Sequence, residues 1–361
     1  MAIDRRRFLH ALGGAALLGP TRLIAGARGT RLLSCRSDDT GRHFATLFSS
    51  EGAVLFDVAL PARGHAIALA PDATLAAVAA RRPGAFVWLL DLARGHVVAR
   101  LVAPAERHFY GHSAFSADGR YLYTTENDFA AGRGVIGIYD RLAGWRKTGE
   151  FDSHGVGPHE LALLADRATL AVANGGLRTH PDTPRAKLNR ATMAPNLAYI
   201  DAASGRLIER VEPPARWHQL SIRHLAPGPA DQLALAMQYE GPPDDDPPLI
   251  ALHRRGQPLR LLRAPDAIQQ RMRHYCGSVA FNAKGSEFAV SSPRGGLVTR
   301  WSADGAYLGH HDQPDACGIA AADAGFWISD GTGHLAQTPS HRPPTHFGAT
   351  HWDNHLLRVT G

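Results

Sequence analysis

Histidine is the residue that first suggests chemistry in this chain: there are 20 of them in 361 residues. His65, His112, His159, His218 and His274 each stand just ahead of a short apolar run that leads into an acidic or glycine-containing turn. Imidazole is a common ligand for iron, copper and zinc, and rings delivered by separate rigid strands can enforce an open coordination site. Glu160 adds a hard oxygen donor beside His159, while Cys276 and Cys317 offer soft sulfur donors at neighbouring positions. Those two sulfurs have other fates open to them, a disulfide in an oxidising compartment or buried free thiols. A second group, His180, Asp182, Arg185, Lys187 and Asn189, falls within an excursion from Asn174 to Asn196. Long loops on rigid scaffolds often bind ligands or partners, which marks this one as a candidate binding loop. Zinc-protease, haem-attachment, nucleophile-elbow and phosphate-loop signatures are absent from the sequence, so no catalytic residue is assigned.

The elements that must carry these side chains are strands. The chain has no sustained 3.6-residue periodicity; short alternating apolar runs are broken by Gly, Pro, Asp and Asn. Aligned on the five histidines and Cys317, the runs form units 47, 47, 59, 56 and 43 residues apart. That is the period of a propeller blade of four antiparallel strands. A sandwich would not repeat at this interval, and a β-helix repeats far faster. The stretch from Cys35 to Leu60 and the C-terminal HLLRVTG supply the strands of one more blade, shared by the two ends of the chain. The expectation is an all-β fold: a single β-propeller of seven blades, its ring closed by N- and C-terminal strands so that no inner edge is left unpaired. First strands of the blades line the central channel, and their leading histidines then converge on one axis. PPDDDPP at 242–248 is expected to be a hairpin tip rather than a linker.

The N-terminus carries a different message. Asp4-Arg5-Arg6-Arg7-Phe8-Leu9-His10 has the form of a twin-arginine n-region; the apolar run Ala11 to Leu18 and the small-residue Ala25-Gly26-Ala27 follow. This predicts a twin-arginine signal peptide over residues 1–27 and a propeller over 28–361, periplasmic after export. The apolar run falls well short of the roughly 20 residues a spanning helix needs, so no membrane span is expected. Leu32-Leu33-Ser34-Cys35 weakly resembles a lipoprotein box, but Arg28 and Arg31 interrupt the apolar approach to it, and a first strand is the expected role. Removing residues 1–27 lowers the formal charge from +6 to +3, which gives no case for nucleic acid or an anionic membrane as partner.

Several stretches exceed generic blade patterning. Gly157-Pro158-His159-Glu160, the run VANGGLRTHPDTPRAKLNRATMAPNLAYID, WHQLSIRHL, YCGSVAFNAKGSEFAVSSPRGG and Trp352-Asp353-Asn354-His355 resemble the bacterial family known as domain of unknown function 1513. More distantly the units are similar to YVTN-type and WD40 repeats, in whose blades a His after Gly, as at Gly64-His65 and Gly111-His112, has a structural hydrogen-bonding role. The family resemblance implies a genomic setting beside imelysin-like periplasmic iron-uptake proteins and a di-haem oxidoreductase homologue, which are the partners it suggests. Together these readings give the expected function: a non-enzymatic periplasmic component of iron acquisition, binding an iron or copper ion or docking a partner at the His-lined mouth. Two alternatives stand beside it, an enzyme (a lactonase-like hydrolase or a redox protein) using the same mouth, and a pure protein-interaction platform.

Overall fold

The computed structural model describes residues 29–183, 186–340 and 342–360; the proposed signal peptide lies outside them. Seven four-stranded antiparallel sheets form a closed ring, with one short α-helix at Asp266–Arg271 among the described residues. The innermost strands, in ring order, are Gly64–Leu69, Arg107–Phe115, Pro158–Leu163, Leu220–Pro227, Ser278–Phe281, Ala316–Ala321 and His351–Val359, and the sheets they open are numbered here as blades 1 to 7. Blade 7 is the composite one: the C-terminal strand pairs with Arg31–Ser37, and His43–Ser49 and Val54–Leu60 follow outward. The segment resembling a lipoprotein box is therefore a strand, with Cys35 buried inside it. No helix among the described residues is long and apolar enough to cross a membrane.

Local chemistry accounts for the blades. In blades 1 to 5 the hairpin between first and second strands is closed by one equivalent bond, the N–H of Ala70, Ser116, Leu164, Gly228 or Asn282 donating to a carbonyl at 2.8–2.9 Å. Asp72, Asp118 and Asp166 sit in three of these turns and each accepts a backbone N–H two residues on at 3.0 Å, as short acidic side chains do in tight turns. Second strands such as Leu75–Ala80 and Thr169–Asn174 are buried throughout because neighbouring blades cover both faces. The outer strand Arg146–Asp152 alternates between exposed and half-buried positions. At the closure Trp352 stacks on Phe48, ring centroids 4.4 Å apart, with Phe347 edge-on to both.

One irregularity recurs where the inner strands meet the axis. Bulges interrupt the pairing between Gly64 and Ile67, Phe109 and Ser113, Pro158 and Glu160, Ile222 and His224, and Trp352 and Leu356. A bulge bends its strand and re-aims the residues left out of the ladder. His65, His112, His159 and His355 are such residues, and His224 directly follows the unpaired Arg223.

Candidate metal centre

The bulges gather five imidazoles at the centre of the ring, from blades 7, 1, 2, 3 and 4. Ring centroids of His65, His112, His159, His224 and His355 lie 4.6–5.8 Å from their neighbours. Two trios bring one nitrogen of each member within 4.8 Å of the others, His65–His112–His355 and His112–His159–His224, with His112 common to both. Two carboxyl groups back the cluster. Asp353 accepts from His65 Nδ1 at 2.7 Å, from Arg63 Nε at 2.6 Å and from Arg81 at 3.2 Å. Glu160 Oε2 shares a hydrogen bond of 2.9 Å with His224 Nδ1, and its Oε1 lies 3.8 Å from His112 Nδ1. A carboxylate behind a metal-ligating imidazole fixes ring orientation in this way, as Asp353 does for His65, leaving the far nitrogen free to bind.

The electrostatics favour neutral rings. Burial, followed by the proximity of the other imidazoles, pushes His112, His159, His224 and His355 well below the usual histidine range. Burial alone would raise Asp353, but His65, Arg81 and Arg63 hold it well below the usual carboxylate range. For Glu160 burial outweighs the support of the Leu225 N–H and His65 and pushes it up to about 8. The cluster thus offers unprotonated imidazole, the form that ligates metal. Three ring nitrogens, His112 Nε2, His159 Nδ1 and His355 Nε2, are buried without a hydrogen-bond partner among the described residues. A buried polar atom left unsatisfied costs about 1–3 kcal/mol. Each trio includes two of these three histidines, and a cation accepting their lone pairs would complete those nitrogens. A tetrahedral ion with bonds near 2 Å separates its donors by about 3.3 Å, a modest contraction from the present spacing.

Of the residues singled out in the sequence, His65, His112, His159 and Glu160 meet here. The other four do not. His218 is exposed after a 3-10 turn, its ring 3.3 Å from the Ala215 carbonyl, because blade 4 begins only at Leu220; His224 occupies the axial position instead. His274 precedes the inner strand of blade 5 and turns its Nε2 to the Asp245 carbonyl at 2.7 Å, on the rim. Cys276 is packed among aliphatic side chains with its sulfur 3.7 Å from the Leu249 carbonyl, and burial raises its thiol to about 12. Cys317 lies in the bulge of blade 6, its thiol also raised by burial and donating to the Asp315 carbonyl at 3.2 Å. All three cysteines are free. Buried, protonated thiols are poor ligands.

The excursion folds back over the mouth. Asn189 accepts from Arg178 N and donates to the Gly176 carbonyl; His180 packs edge-on against Phe129 and lies 3.5 Å from Asp182. Lys187 reaches the Glu240 carboxylate, and Arg185 lies outside the described residues. Segment 242–248 joins the paired strands Gln232–Tyr239 and Ile250–Arg254, as a hairpin connection does, with Asp245 bonded to Tyr239 and Asp246 to Arg263.

Three residues of the centre, His224, His355 and Asp353, are not among the ligands expected from the sequence. For His224 a signal existed. From His65, His112 and His159 the turn aspartates Asp72, Asp118 and Asp166 follow at 7, 6 and 7 residues; Asp231 follows His224 at 7 but His218 at 13. For His355 and Asp353 the signal was the Trp352-Asp353-Asn354-His355 motif opening the last strand.

Fold and site together define a seven-bladed β-propeller with a histidine cluster on its axis. Residues 58–359 match the family model described as protein of unknown function DUF1513, and the chain belongs to that family. Among solved structures it is similar to the Kuenenia stuttgartiensis hydrazine synthase, at 14% identity over 93% of this chain and 100% of that one with a TM-score of 0.61, a likeness of fold. No curated protein matches.

Proposed function

We propose that this propeller binds a transition-metal ion on its axis, iron or copper, and serves metal acquisition outside the cytoplasm. The observation that carries the reading is the convergence of five imidazoles from five blades, three with buried nitrogens that lack hydrogen-bond partners among the described residues. His112, shared by both trios, is the central ligand; His65 with His355, or His159 with His224, completes the set. Asp353 and Glu160 hold His65 and His224 in orientation. Uncharged nitrogen donors suit iron and copper better than calcium or magnesium, which prefer oxygen. The N-terminal twin-arginine pattern supports export of a protein already folded around its ion. Periplasmic iron-uptake proteins of the imelysin type are the partners this reading suggests, docking at the same mouth.

The test is elemental analysis of the purified full chain after exposure to Fe(II) or Cu(II) and removal of excess metal. One equivalent bound by the wild type, and less than a tenth of that by His112→Ala with unchanged circular dichroism, is the expected result. A wild type that retains no ion from either solution would overturn the reading.

A further inference from the structure

A cavity of about 660 Å³ opens onto the histidine cluster, with His65, His159 and His224 at its base. Its charge is one-sided. Arg63, Arg81, Arg82, Lys187, Arg223 and Arg294 line it, and Glu240 is the single carboxylate among the lining residues. Some of this positive charge is answered locally: Asp353 lies beneath Arg63 and Arg81, and Glu240 is taken by Lys187. Arg294 rests over the Tyr275 ring at 4.4 Å.

Arg82 and Arg223 are answered least. Arg223 is 5% exposed, its nearest carboxylate oxygen is 3.8 Å away on Glu240, and its Nε has no hydrogen-bond partner among the described residues. Burial, then the nearby Arg82, lowers it to about 10. Arg82 NH1 is also buried without a hydrogen-bond partner among the described residues. Holding a guanidinium with vacant donors in a buried wall costs stability unless something fills them. The bulge that aims His224 at the axis is the same one that leaves Arg223 out of the ladder, so ligand nitrogen and guanidinium face one chamber.

We propose that this chamber is a binding site for a small multivalent oxyanion, of carboxylate or phosphate chemistry, held by Arg82 and Arg223 with Lys187 and Arg294 at the rim. Guanidinium groups pair with such oxygens in a bidentate fork, and the volume lies in the range of small-molecule sites. The site stands on its own cationic residues and does not depend on the metal reading. An anion seated there lies directly over the imidazoles and controls access to them.

The experiment is isothermal titration of the metal-free full chain, prepared with chelator and then dialysed, with citrate and separately with inorganic phosphate at low ionic strength. Saturable binding of at least one is expected, weakening as salt is raised. Arg223→Gln and Arg82→Gln should each weaken it tenfold or more; Arg82→Gln, nearer the rim, keeps the test valid if the buried replacement fails to fold. Tighter binding of citrate assigns carboxylate chemistry, and tighter binding of phosphate the other, either supporting the site. No saturable binding of either anion by the wild type, or undiminished binding by a folded Arg82→Gln, would overturn the proposal. Because no metal is present, failure here leaves the axial-ion reading untouched, and failure of that reading leaves this one standing.

Discussion

At the scale of the residue, Asp353 carries the most. One buried carboxylate accepts from His65, Arg63, Arg81 and the Asn354 N–H. Removing one partner from a buried charge network leaves the others uncompensated, which is far costlier than never having built it. Asp353→Asn should therefore lower stability by about 3 kcal/mol in denaturant titration, and His65 should lose the anchor that turns its Nε2 to the axis. A variant as stable as the wild type would show that solvent takes over the carboxylate's role. Asp353 also shows where sequence reasoning stopped. Its motif was visible, but nothing local says that a residue near the C-terminus faces Arg63 and His65 from the start of the chain. The arginine chamber was hidden for the same reason: Arg82, Arg223 and Arg294 are separated by whole blades and each reads alone as an ordinary surface cation.

At the scale of the element, the bulged inner strand is the working unit. Strands, turns and blade period were legible because apolar alternation and turn aspartates are local signals. The phase of the axial side chain was not, since a bulge inserts a residue that alternation cannot register; hence His218 in place of His224. Gly111 shows how tightly the bulge is built. Its φ is +108°, and a Cβ there would stand 2.7 Å from His65 Cδ2. Gly111→Ala should cost at least about 1 kcal/mol from backbone strain alone, and by displacing His65 should reduce bound metal more than it reduces the unfolding midpoint. Equal metal content in the variant would contradict that. The outer strand of blade 2 makes a separate, pH-dependent prediction. Partial burial would raise Glu150, but hydrogen bonds from Lys147, Arg107 and Arg133 bring it down from 4.5 to about 2. A carboxylate depressed in the folded state adds stability above its ordinary pKa and loses it as pH falls through the folded value. The stability gap between wild type and Glu150→Gln should hold from neutrality to about pH 4.5 and close toward pH 2. A gap independent of pH would mean the ion pairs contribute nothing, as many exposed ones do.

At the scale of the whole molecule, ring closure and the site are one structure. The strand that completes the circle, His351–Val359, also brings Asp353 and His355 to the axis. Beyond its pairing with Arg31–Ser37, two contacts fasten it: Ser34 Oγ donates to the His355 carbonyl at 2.6 Å, and Trp352 is buried against Phe48 and Phe347. Trp352→Ala removes a large buried ring where the two ends of the chain meet, at a cost of about 3–5 kcal/mol. In an open sheet that loss would stay local. In a closed ring it loosens the one seam that covalent continuity does not hold, and the freed strand carries a carboxylate and an imidazole away from the cluster. A ligand that binds only the closed ring stabilises it by RT ln(1 + [L]/Kd), about 2.7 kcal/mol at a hundredfold excess over Kd. Saturating metal should therefore raise the unfolding midpoint of the wild type. In Trp352→Ala the rise should be smaller if the seam stays open, and equal only if metal recloses it. Paired thermal scans with and without Fe(II) or Cu(II) separate these outcomes. A metal-independent midpoint in the wild type would break the link between closure and the axial centre, leaving closure to the pairing with Arg31–Ser37 and the packing of Trp352.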